Sequence, residues 1–327
     1  MSAPALDDRI RVLLSPDEHQ ASLLRAVERG LAQPLPEIPP VYFYDERGSE
    51  LFDQITRLEE YYPTRAETEI LEAHADALVE RSGAVELVEL GSGYSRKTRL
   101  LLDALRARGG ARYTALEVSE DALVAAAEHL LADDPALDFH GVVGDFHQHL
   151  DALPRSGPGL WAFLGSTIGN LHPDERVPFL SRLRGAMRPG DHFLLGMDLV
   201  KERAVLEAAY DDASGVTAEF NRNVLRVLNR ELKADFPLEA WAHRAFYDAQ
   251  NAWIEMRLVS NRPHRVRIEA LQRELNFERG DELRTELSCK FTRESATSAL
   301  EGAGFELLEW HTDAPQRFAV CLARPRA

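Results

Sequence analysis

A short, mostly apolar run that leads straight into two glycines most constrains what this chain can fold into. Residues 85–90 have the pattern of a strand buried in a parallel sheet, Gly91 and Gly93 follow, and a helical pattern begins at Thr98. Strand, glycine turn and helix present backbone N–H groups to a ligand at the carboxyl edge of a sheet. A tight turn without any ligand has the same pattern, so the motif alone leaves both interpretations open.

Further strand patterns follow at residues 112–117, 141–146, 160–164 and 193–199, with helical patterns from 123 to 131 and from 177 to 187 among them. Together they predict an α/β fold with a doubly wound sheet and helices on both faces. Two later patterns, at 305–310 and 318–322, predict a hairpin that closes the sheet. The region between has a long helical pattern from 202 to 228 and then alternating, charge-rich strand patterns at 252–259, 266–270 and 275–287. We interpret it as an inserted α+β region, with Arg279-Gly280-Asp281 as a hairpin turn.

Acidic and glycine residues stand where the predicted strands end. Glu117 closes the second strand, where an α/β nucleotide fold places the carboxylate that binds ribose hydroxyls. Asp145 and Phe146 follow the third strand and suit an adenine, with the acid accepting from the exocyclic amine and the ring packing on the base. A helix-capping role for Asp145 is equally consistent. Gly165 opens a second glycine-bearing turn, which we expect to face the same crevice as the first.

Composition narrows the class of protein further. The chain has 327 residues and a net charge of −16, which repels phosphate backbones and argues against nucleic acid as a partner. It has two cysteines, Cys289 and Cys321, as expected in a reducing compartment. The first 30 residues have no apolar signal core, and no apolar run is long enough to span a membrane. We expect a cytoplasmic enzyme that acts as a monomer.

The glycine loop departs from the dinucleotide fingerprint at its sixth position. That fingerprint has a third small residue there, where this chain has Arg96. Glu89-x-Gly91-x-Gly93 without the third glycine resembles the S-adenosylmethionine loop of a Rossmann-type methyltransferase more than an NAD loop.

Several motifs in order along the chain resemble one family, the histidine N-alpha-methyltransferases of ergothioneine biosynthesis. The resemblance covers about residues 40–322 and is carried by Tyr42-Phe43-Tyr44-Asp45, Gly48-Ser49-x-Leu51-Phe52-Asp53-Gln54-Ile55, Glu60-Tyr61-Tyr62-Pro63-Thr64-Arg65, Glu89-Leu90-Gly91-Ser92-Gly93, Leu164-Gly165-Ser166-Thr167-Ile168-Gly169-Asn170, Ala209-Tyr210-Asp211-Asp212, Phe220-Asn221-Arg222-Asn223 and Glu286-x-Ser288-Cys289-Lys290-Phe291.

The resemblance implies a Rossmann-type methyltransferase core and a second α+β domain built from the N-terminal segment and the insertion. We expect residues 1–62 and 200–286 to form the substrate domain, and residues 63–199 and 287–327 to form the core. It also implies three methyl transfers from S-adenosyl-L-methionine to the α-amine of L-histidine, which give the betaine hercynine.

The resemblance further implies which residues bind the two small molecules. The cofactor contacts fall on Gly91, Gly93, Lys97, Glu117, Asp145 and Phe146. The histidine contacts fall on Tyr44, Phe52, Tyr61, Gly165, Asn170, Tyr210, Met256, Glu286 and Ser288.

The chemistry of methyl transfer suits these side chains. Tyr44 and Asn170 form a reasonable catalytic pair that binds and orients the amine, with water taking its proton, because an unperturbed phenol is not a strong base. Asn170 and the Tyr210 hydroxyl suit the substrate carboxylate. Glu286 and Ser288 are two apart on a predicted strand, so they share a face and can match both imidazole nitrogens. Met256 packs on the ring.

The aromatic residues of the histidine set have a separate use. Tyr44, Phe52 and Tyr61 offer ring faces that attract a quaternary ammonium by about 0.5–2 kcal/mol. Ordinary core packing is the competing interpretation for these rings and for Met256.

Two other activities remain open from the sequence. The acceptor could be another aromatic amino acid such as tryptophan, although an indole offers one N–H and leaves Glu286 poorly matched. The chain could also be a cofactor-binding module without turnover. His147 and His149 suggest a metal, but no third ligand stands at zinc spacing, so we expect no metal site.

Overall fold

A computed structural model describes residues 6–95 and 97–326 of the chain. The α-helices of these ranges are α1 (Pro16–Gly30), α2 (Glu46–Ile55), α3 (Pro63–Ser82), α4 (Thr98–Arg106), α5 (Glu120–Asp133), α6 (Pro173–Ala186), α7 (Arg203–Tyr210), α8 (Val216–Glu231) and α9 (Arg293–Gly302). The strands are β1 (Ile10–Val12), β2 (Glu86–Leu90), β3 (Arg112–Glu117), β4 (Asp138–Val143), β5 (Gly159–Phe163), β6 (His192–Asp198), β7 (Trp241–Asp248), β8 (Trp253–Ser260), β9 (His264–Ile268), β10 (Arg273–Phe277), β11 (Glu282–Cys289), β12 (Phe305–Thr312) and β13 (Phe318–Pro325).

The largest sheet has eight strands in the order β1-β4-β3-β2-β5-β6-β13-β12. Strands β1 to β6 pair in parallel, whereas β13 pairs antiparallel with both β6 and β12. From β2 the chain proceeds through β3 to β4 on one side, and from β5 to β6 on the other. The strand order therefore reverses between β2 and β5, which makes their carboxyl ends the switch point where α/β sheets bind ligands.

The reversal also places helices on both faces of this sheet. Right-handed crossovers that advance in opposite directions put their helices on opposite faces, so α4 and α5 lie on one face and α6 on the other. All five residues of β2 and of β5 are buried, as expected for central parallel strands. The predicted doubly wound α/β class and the closing antiparallel hairpin are confirmed.

The chain divides into two compact units. Unit 1 contains the described residues of 1–14, 63–200 and 290–327 and holds the eight-stranded sheet; unit 2 contains 15–62 and 201–289. This division differs from the predicted boundaries at the N terminus, because β1 pairs with β4 in unit 1, with Ile10 opposite Gly141. It also differs after residue 286, because β11 continues to Cys289 in unit 2.

Unit 2 has an antiparallel three-stranded sheet in the order β11-β8-β7 and a separate ribbon of β9 and β10. Helix α8 packs on α2 and on β7 and β8 of that sheet. Its inner side is apolar along most of its length, with Phe220, Val224 and Leu228 buried. This spacing of four residues is the apolar stripe of a helix that packs on a sheet.

Several predicted elements of unit 2 are corrected by the structure. The helix predicted over 202–228 is two helices, α7 and α8, separated at residues 211–215, where Gly215 has a φ of +74°. Strand β7 has no counterpart among the predicted strands, because its sequence mixes aromatic, small and charged residues without a regular alternation of apolar and polar side chains. The turn at 279–281 is not a hairpin: β10 before it pairs with β9, and β11 after it pairs with β8.

Candidate active site

The glycine loop after β2 lies at the switch point of the large sheet. Gly91 and Gly93 have φ values of +68° and +49°, which explains the need for glycine at both positions. A Cβ atom at either position would meet nothing within 4 Å, so the backbone there borders open space. The loop keeps a buried hydroxyl, Ser92 Oγ, that has no hydrogen-bond partner among residues 6–95 and 97–326. These features fit a ligand that approaches the backbone closely. Arg96, the sixth position of the loop, lies outside the described residues.

Glu117 ends β3 and holds the glycine loop in place. Its Oε2 accepts from the Gly93 N–H at 2.8 Å, and its Oε1 accepts from the N–H groups of Val118 and Ser119 at 2.9 and 3.1 Å. Burial raises the pKa of the Glu117 carboxyl, and these three N–H groups oppose the rise. The carboxylate retains acceptor capacity toward a diol, since each oxygen has two lone pairs.

Asp145 and Phe146 follow β4, which spans Asp138–Val143 and therefore begins and ends three residues before the predicted strand of 141–146. The Asp145 carboxylate accepts from the His147 N–H at 2.7 Å and from the Gln148 amide at 3.1 Å. The Phe146 ring packs edge-on against other rings of unit 1, at 5.3 Å from Phe163 and 5.4 Å from Phe179. Both side chains are half-buried and lie at the same sheet edge as the glycine loop.

The second glycine-bearing turn follows β5, the strand next to β2. Gly165 and Ser166 have φ values of +70° and +59°, and a single 3₁₀ turn over Thr167–Asn170 follows. The Ser166 hydroxyl accepts from the N–H of Asp198 at the end of β6. Asn170 is half-buried at the end of this turn. Both glycine turns thus occupy the switch point of the same sheet, as predicted.

Lys97 and Gly165 share one partner that the sequence analysis missed. The fully buried carboxylate of Glu67 on α3 pairs with the Lys97 ammonium and accepts from the Gly165 N–H at 2.9 and 3.0 Å. The sequence around Glu67 resembles a capping box, but α3 begins at Pro63 and Glu67 points into unit 1 instead.

A cluster of aromatic side chains lies within unit 2. Tyr44, Phe52 and Tyr61 were predicted site residues, and the structure brings them together with Tyr210. Phe220 on α8 joins them, with ring centroids 5.7 Å from Tyr44 and 5.9 Å from Phe52. Phe220 opens one of the motifs that resemble the family, at residues 220–223, and this motif was the sequence signal that could have identified it as a site residue.

The polar residues predicted for the imidazole also lie together in unit 2. Glu286 on β11 is directly opposite Met256 on β8, and Ser288 is opposite Ile254, so the side chains of Glu286, Met256 and Ser288 share one face. The Tyr210 hydroxyl and Ser288 Oγ are 2.7 Å apart. All four side chains are at least nine-tenths buried, which is an environment where polar groups discriminate strongly between ligands.

A β-bulge puts Glu286 on that face. The register shifts between Arg284, which is opposite Arg257, and Glu286, so Thr285 is the extra residue. Residues two apart in a regular strand share a face, but here Arg284 and Glu286 face opposite sides. The Thr285 hydroxyl donates to Asn221 Oδ1 at 2.6 Å on α8. Neither the bulge nor its partner was predicted, because a bulge leaves no periodic signal in a short strand.

Asn221 connects the bulge to the backbone of α7. Its amide nitrogen is 2.8 Å from His243 Nδ1 and 3.1 Å from the Arg257 carbonyl. His243 Nε2 in turn lies 2.8 Å from the Tyr210 carbonyl. Burial lowers the pKa of His243, so the neutral ring donates to Tyr210 and accepts from Asn221.

The two histidines that suggested a metal have other contacts. His149 Nδ1 accepts from the Asp145 N–H at 2.9 Å, and the His147 carbonyl accepts from Arg182 at 2.5 Å. Among the residues the structure describes, no three His, Cys, Asp or Glu side chains are grouped to hold a metal ion.

The fold and these residues define an α/β protein with two glycine turns at the switch point of its large sheet, and comparison with known proteins gives the family. A family model described as histidine-specific, S-adenosylmethionine-dependent methyltransferase matches residues 23–325. A histidine N-alpha-methyltransferase of Mycobacterium tuberculosis is 49% identical over 311 residues, which are 95% of this chain and 97% of that protein. One of Mycolicibacterium smegmatis is 47% identical with the same coverage.

A more distant relative is ergothioneine biosynthesis protein 1 of Neurospora crassa, 32% identical over 84% of this chain and 32% of that longer protein. The chain therefore belongs to the S-adenosylmethionine-dependent, histidine-specific methyltransferases. Its methyl donor is S-adenosylmethionine. No helix in the described ranges is long and apolar enough to cross a membrane.

Proposed function

We propose that this protein transfers three methyl groups in succession from S-adenosylmethionine to the α-amine of L-histidine, which gives hercynine for ergothioneine biosynthesis. The observation that carries the proposal is the identity of 49% with a histidine N-alpha-methyltransferase over nearly the full length of both chains. The fungal relatives, named as ergothioneine biosynthesis proteins, support the assignment of hercynine to ergothioneine biosynthesis.

The donor supplies an electrophilic methyl group on a sulfonium. The chain has to hold that group in line with the amine, and orientation of this kind contributes several kcal/mol to catalysis. We assign the donor to the switch point of unit 1, where the open backbone at Gly91 and Gly93 is flanked by the Glu117 carboxylate and by Asp145 and Phe146.

In this assignment each donor-side group has one task. Glu117 accepts from the ribose hydroxyls while it keeps its bond to the Gly93 N–H. Asp145 accepts from the adenine amine and Phe146 packs against the base. Lys97 binds the donor near the glycine loop with its ammonium held by Glu67.

The amino-acid part of histidine needs partners for an amine and a carboxylate. We assign the amine to Tyr44 and Asn170, which orient its lone pair while water takes the proton, because a free ammonium is not nucleophilic. We assign the carboxylate to Asn170 and to the Tyr210 hydroxyl, and we assign the Gly165 turn to histidine as well. None of these donors bears a formal charge, so a second anion is not attracted.

The imidazole requires both a hydrogen-bond acceptor and a partner for its second nitrogen. Glu286 accepts from the ring N–H and Ser288 matches the other nitrogen, since their side chains share a face of β11. Met256 packs on the ring from the opposite strand. A buried polar set of this kind rejects analogues that leave it unpaired by up to about 10⁴-fold.

Each methylation removes a hydrogen-bond donor from the amine and leaves a permanent cation at the end. The ring faces of Tyr44, Phe52 and Tyr61 attract that cation by about 0.5–2 kcal/mol, so the partly methylated substrate stays bound for the next transfer. We therefore assign unit 2 as the substrate domain.

Two further features complete the proposal. The protein acts as a monomer, since valines are the only large apolar side chains exposed in the described ranges. It works in the cytoplasm, where its two buried cysteines, which are not in a disulfide, remain reduced.

The test is incubation of the protein with isotopically labelled S-adenosylmethionine and a panel of amino acids. We expect label in histidine alone, accumulating to the trimethylated product in mass spectrometry. Transfer to tryptophan or another amino acid, with histidine unlabelled, would assign a different acceptor. Binding of the donor without transfer to any amine would make the protein a module without turnover.

A further inference from the structure

One buried carboxylate, Glu67, holds both loops of the switch point. It lies on α3, at no exposure to solvent, and both of its oxygens are within 3.0 Å of the Gly165 nitrogen. The same carboxylate pairs with the ammonium of Lys97, directly before α4. Since Lys97 belongs to the glycine loop and Gly165 to the second turn, the two loops share one anchor.

The surrounding structure is shaped to admit this carboxylate. Gly196 on β6 leaves the space that it occupies, because a Cβ atom there would lie 1.9 Å from Glu67 Oε1. A charge in such a place is costly to bury unless it is paired and hydrogen-bonded. Glu67 meets that condition only through Lys97 and Gly165 among the contacts found in the described residues.

Lys97 is placed to act on a ligand as well as on Glu67. Its side chain keeps about one-fifth of its surface exposed (21%), whereas the Glu67 side chain keeps none. A lysine side chain has four rotatable bonds and loses much conformational freedom when it is held. By holding the ammonium, the buried Glu67 carboxylate therefore fixes the direction of the part of the Lys97 side chain that is exposed.

We propose that Glu67 is a positioning residue for methyl transfer: it orients the Lys97 ammonium toward the donor and fixes the Gly165 turn on the acceptor side. This inference rests on the proposed function for the second of these roles. Because one group sets both loops, displacing it misaligns donor and acceptor together, and a misplacement of about 1 Å costs on the order of 10²-fold in rate.

The test compares Glu67→Gln with Glu72→Gln, an exposed position on the same helix. Glutamine keeps an acceptor for the Gly165 N–H but removes the charge that holds Lys97. We expect Glu67→Gln to lower kcat on histidine by roughly 10- to 100-fold and to weaken binding of S-adenosylhomocysteine in calorimetry. Glu72→Gln should leave both quantities unchanged. Unchanged kcat and affinity in folded Glu67→Gln would overturn the proposal.

A double-mutant cycle separates positioning from a merely structural role. In a Lys97→Met background Glu67→Gln should weaken S-adenosylhomocysteine binding much less than it does in the wild type, because the two residues act through one contact. Independent effects in the two backgrounds would contradict the proposal. The binding readout does not need histidine, so it tests Glu67 even if the acceptor proves to be another molecule.

A second variant keeps the proposal testable if Glu67→Gln does not fold. Gly196→Ala retains the carboxylate but forces it to move away from the new methyl group. We expect the same signature, a loss of kcat together with weaker S-adenosylhomocysteine binding. Wild-type kinetics in folded Gly196→Ala would show that the position of Glu67 does not matter.

Discussion

Glu286 lies directly opposite Met256 across β11 and β8, on the buried face of the unit 2 sheet. This relationship depends on the bulge at Thr285, since without the extra residue Glu286 would face the same side as Arg284. A carboxylate beside a thioether on a buried face suits an imidazole, because the carboxylate accepts from the ring N–H and the thioether packs on the ring.

The first prediction concerns Glu286 itself. Glu286→Ala should weaken histidine binding by about 100-fold or more, because the ring N–H loses a charged acceptor in a buried site. The measurement is calorimetry with histidine added to protein loaded with S-adenosylhomocysteine. Glu274→Ala, an exposed change on β10, is the control and should bind histidine normally. Equal losses for histidine and for S-adenosylhomocysteine would remove Glu286 from the histidine site.

The second prediction concerns the bulge. Thr285→Val keeps the shape of the side chain but removes the hydrogen bond to Asn221, which leaves a buried oxygen unsatisfied at a cost of about 1–3 kcal/mol. We expect the KM for histidine to rise while S-adenosylhomocysteine binds as before. Thr297→Val makes the same change of side chain on α9, where it removes an exposed hydrogen bond to the Arg293 carbonyl, and serves as the control. A loss of stability with an unchanged KM would mean that the bulge does not aim Glu286.

The third prediction concerns the aromatic cluster. Phe52→Leu should weaken binding of the trimethylated product more than binding of histidine, by roughly 2- to 30-fold, because only the product bears a permanent cation for the ring face. The two dissociation constants are measured by calorimetry. Phe246→Leu on β7, where the ring contacts Arg244 instead, should change neither. If Phe52→Leu weakened both ligands by the same factor, the ring would serve packing alone.

The fourth prediction concerns pH and the buried Glu89 of β2. Burial raises the pKa of this carboxyl to about 7, against hydrogen bonds from Tyr113 and Thr98. A raised pKa means that the folded state holds its proton more tightly than the unfolded state. The stability from this group is therefore full at acid pH and is lost as pH rises from about 4.5 to about 7, by about 3 kcal/mol at most.

The corresponding measurement is the free energy of unfolding in denaturant at pH 5 and pH 8. The wild type should lose more stability between these values than Glu89→Gln, whose side chain does not titrate. Glu72→Gln should behave like the wild type, as it removes an exposed carboxyl from α3. A wild-type pH dependence equal to that of Glu89→Gln would show that Glu89 does not titrate in this range.

Much of unit 1 could be predicted from the sequence because its strands carry a strong local signal. The strand before Gly91 is short and mostly apolar, the one before Gly165 is a short apolar run, and glycines mark their ends. Parallel strands buried on two faces have this pattern, and the switch point follows from their order. The family resemblance, drawn from motifs at these strand ends and in unit 2, is confirmed by the family model and by the relatives.

The positioning contacts could not be predicted, because they join residues far apart in sequence. Glu67 and Gly165 are 98 residues apart, and nothing near Glu67 distinguishes an inward carboxylate from a helix cap. Likewise Thr285 and Asn221 are 64 residues apart, and the bulge shifts side chains by one position without changing composition. The assignment of individual residues to donor and histidine therefore remains a prediction that the variants above test.

The most direct test of the account is to locate the methyl groups on the product. Histidine is incubated with the protein and excess S-adenosylmethionine labelled with ¹³C in the methyl group, and the product is analysed by NMR. The account predicts three equivalent labelled methyl groups that show correlations to the α-carbon, as expected for methyl groups on the α-nitrogen. Both imidazole nitrogens should be unmethylated and titrate as in histidine. Methyl groups on a ring nitrogen, or no methylated histidine at all, would contradict it.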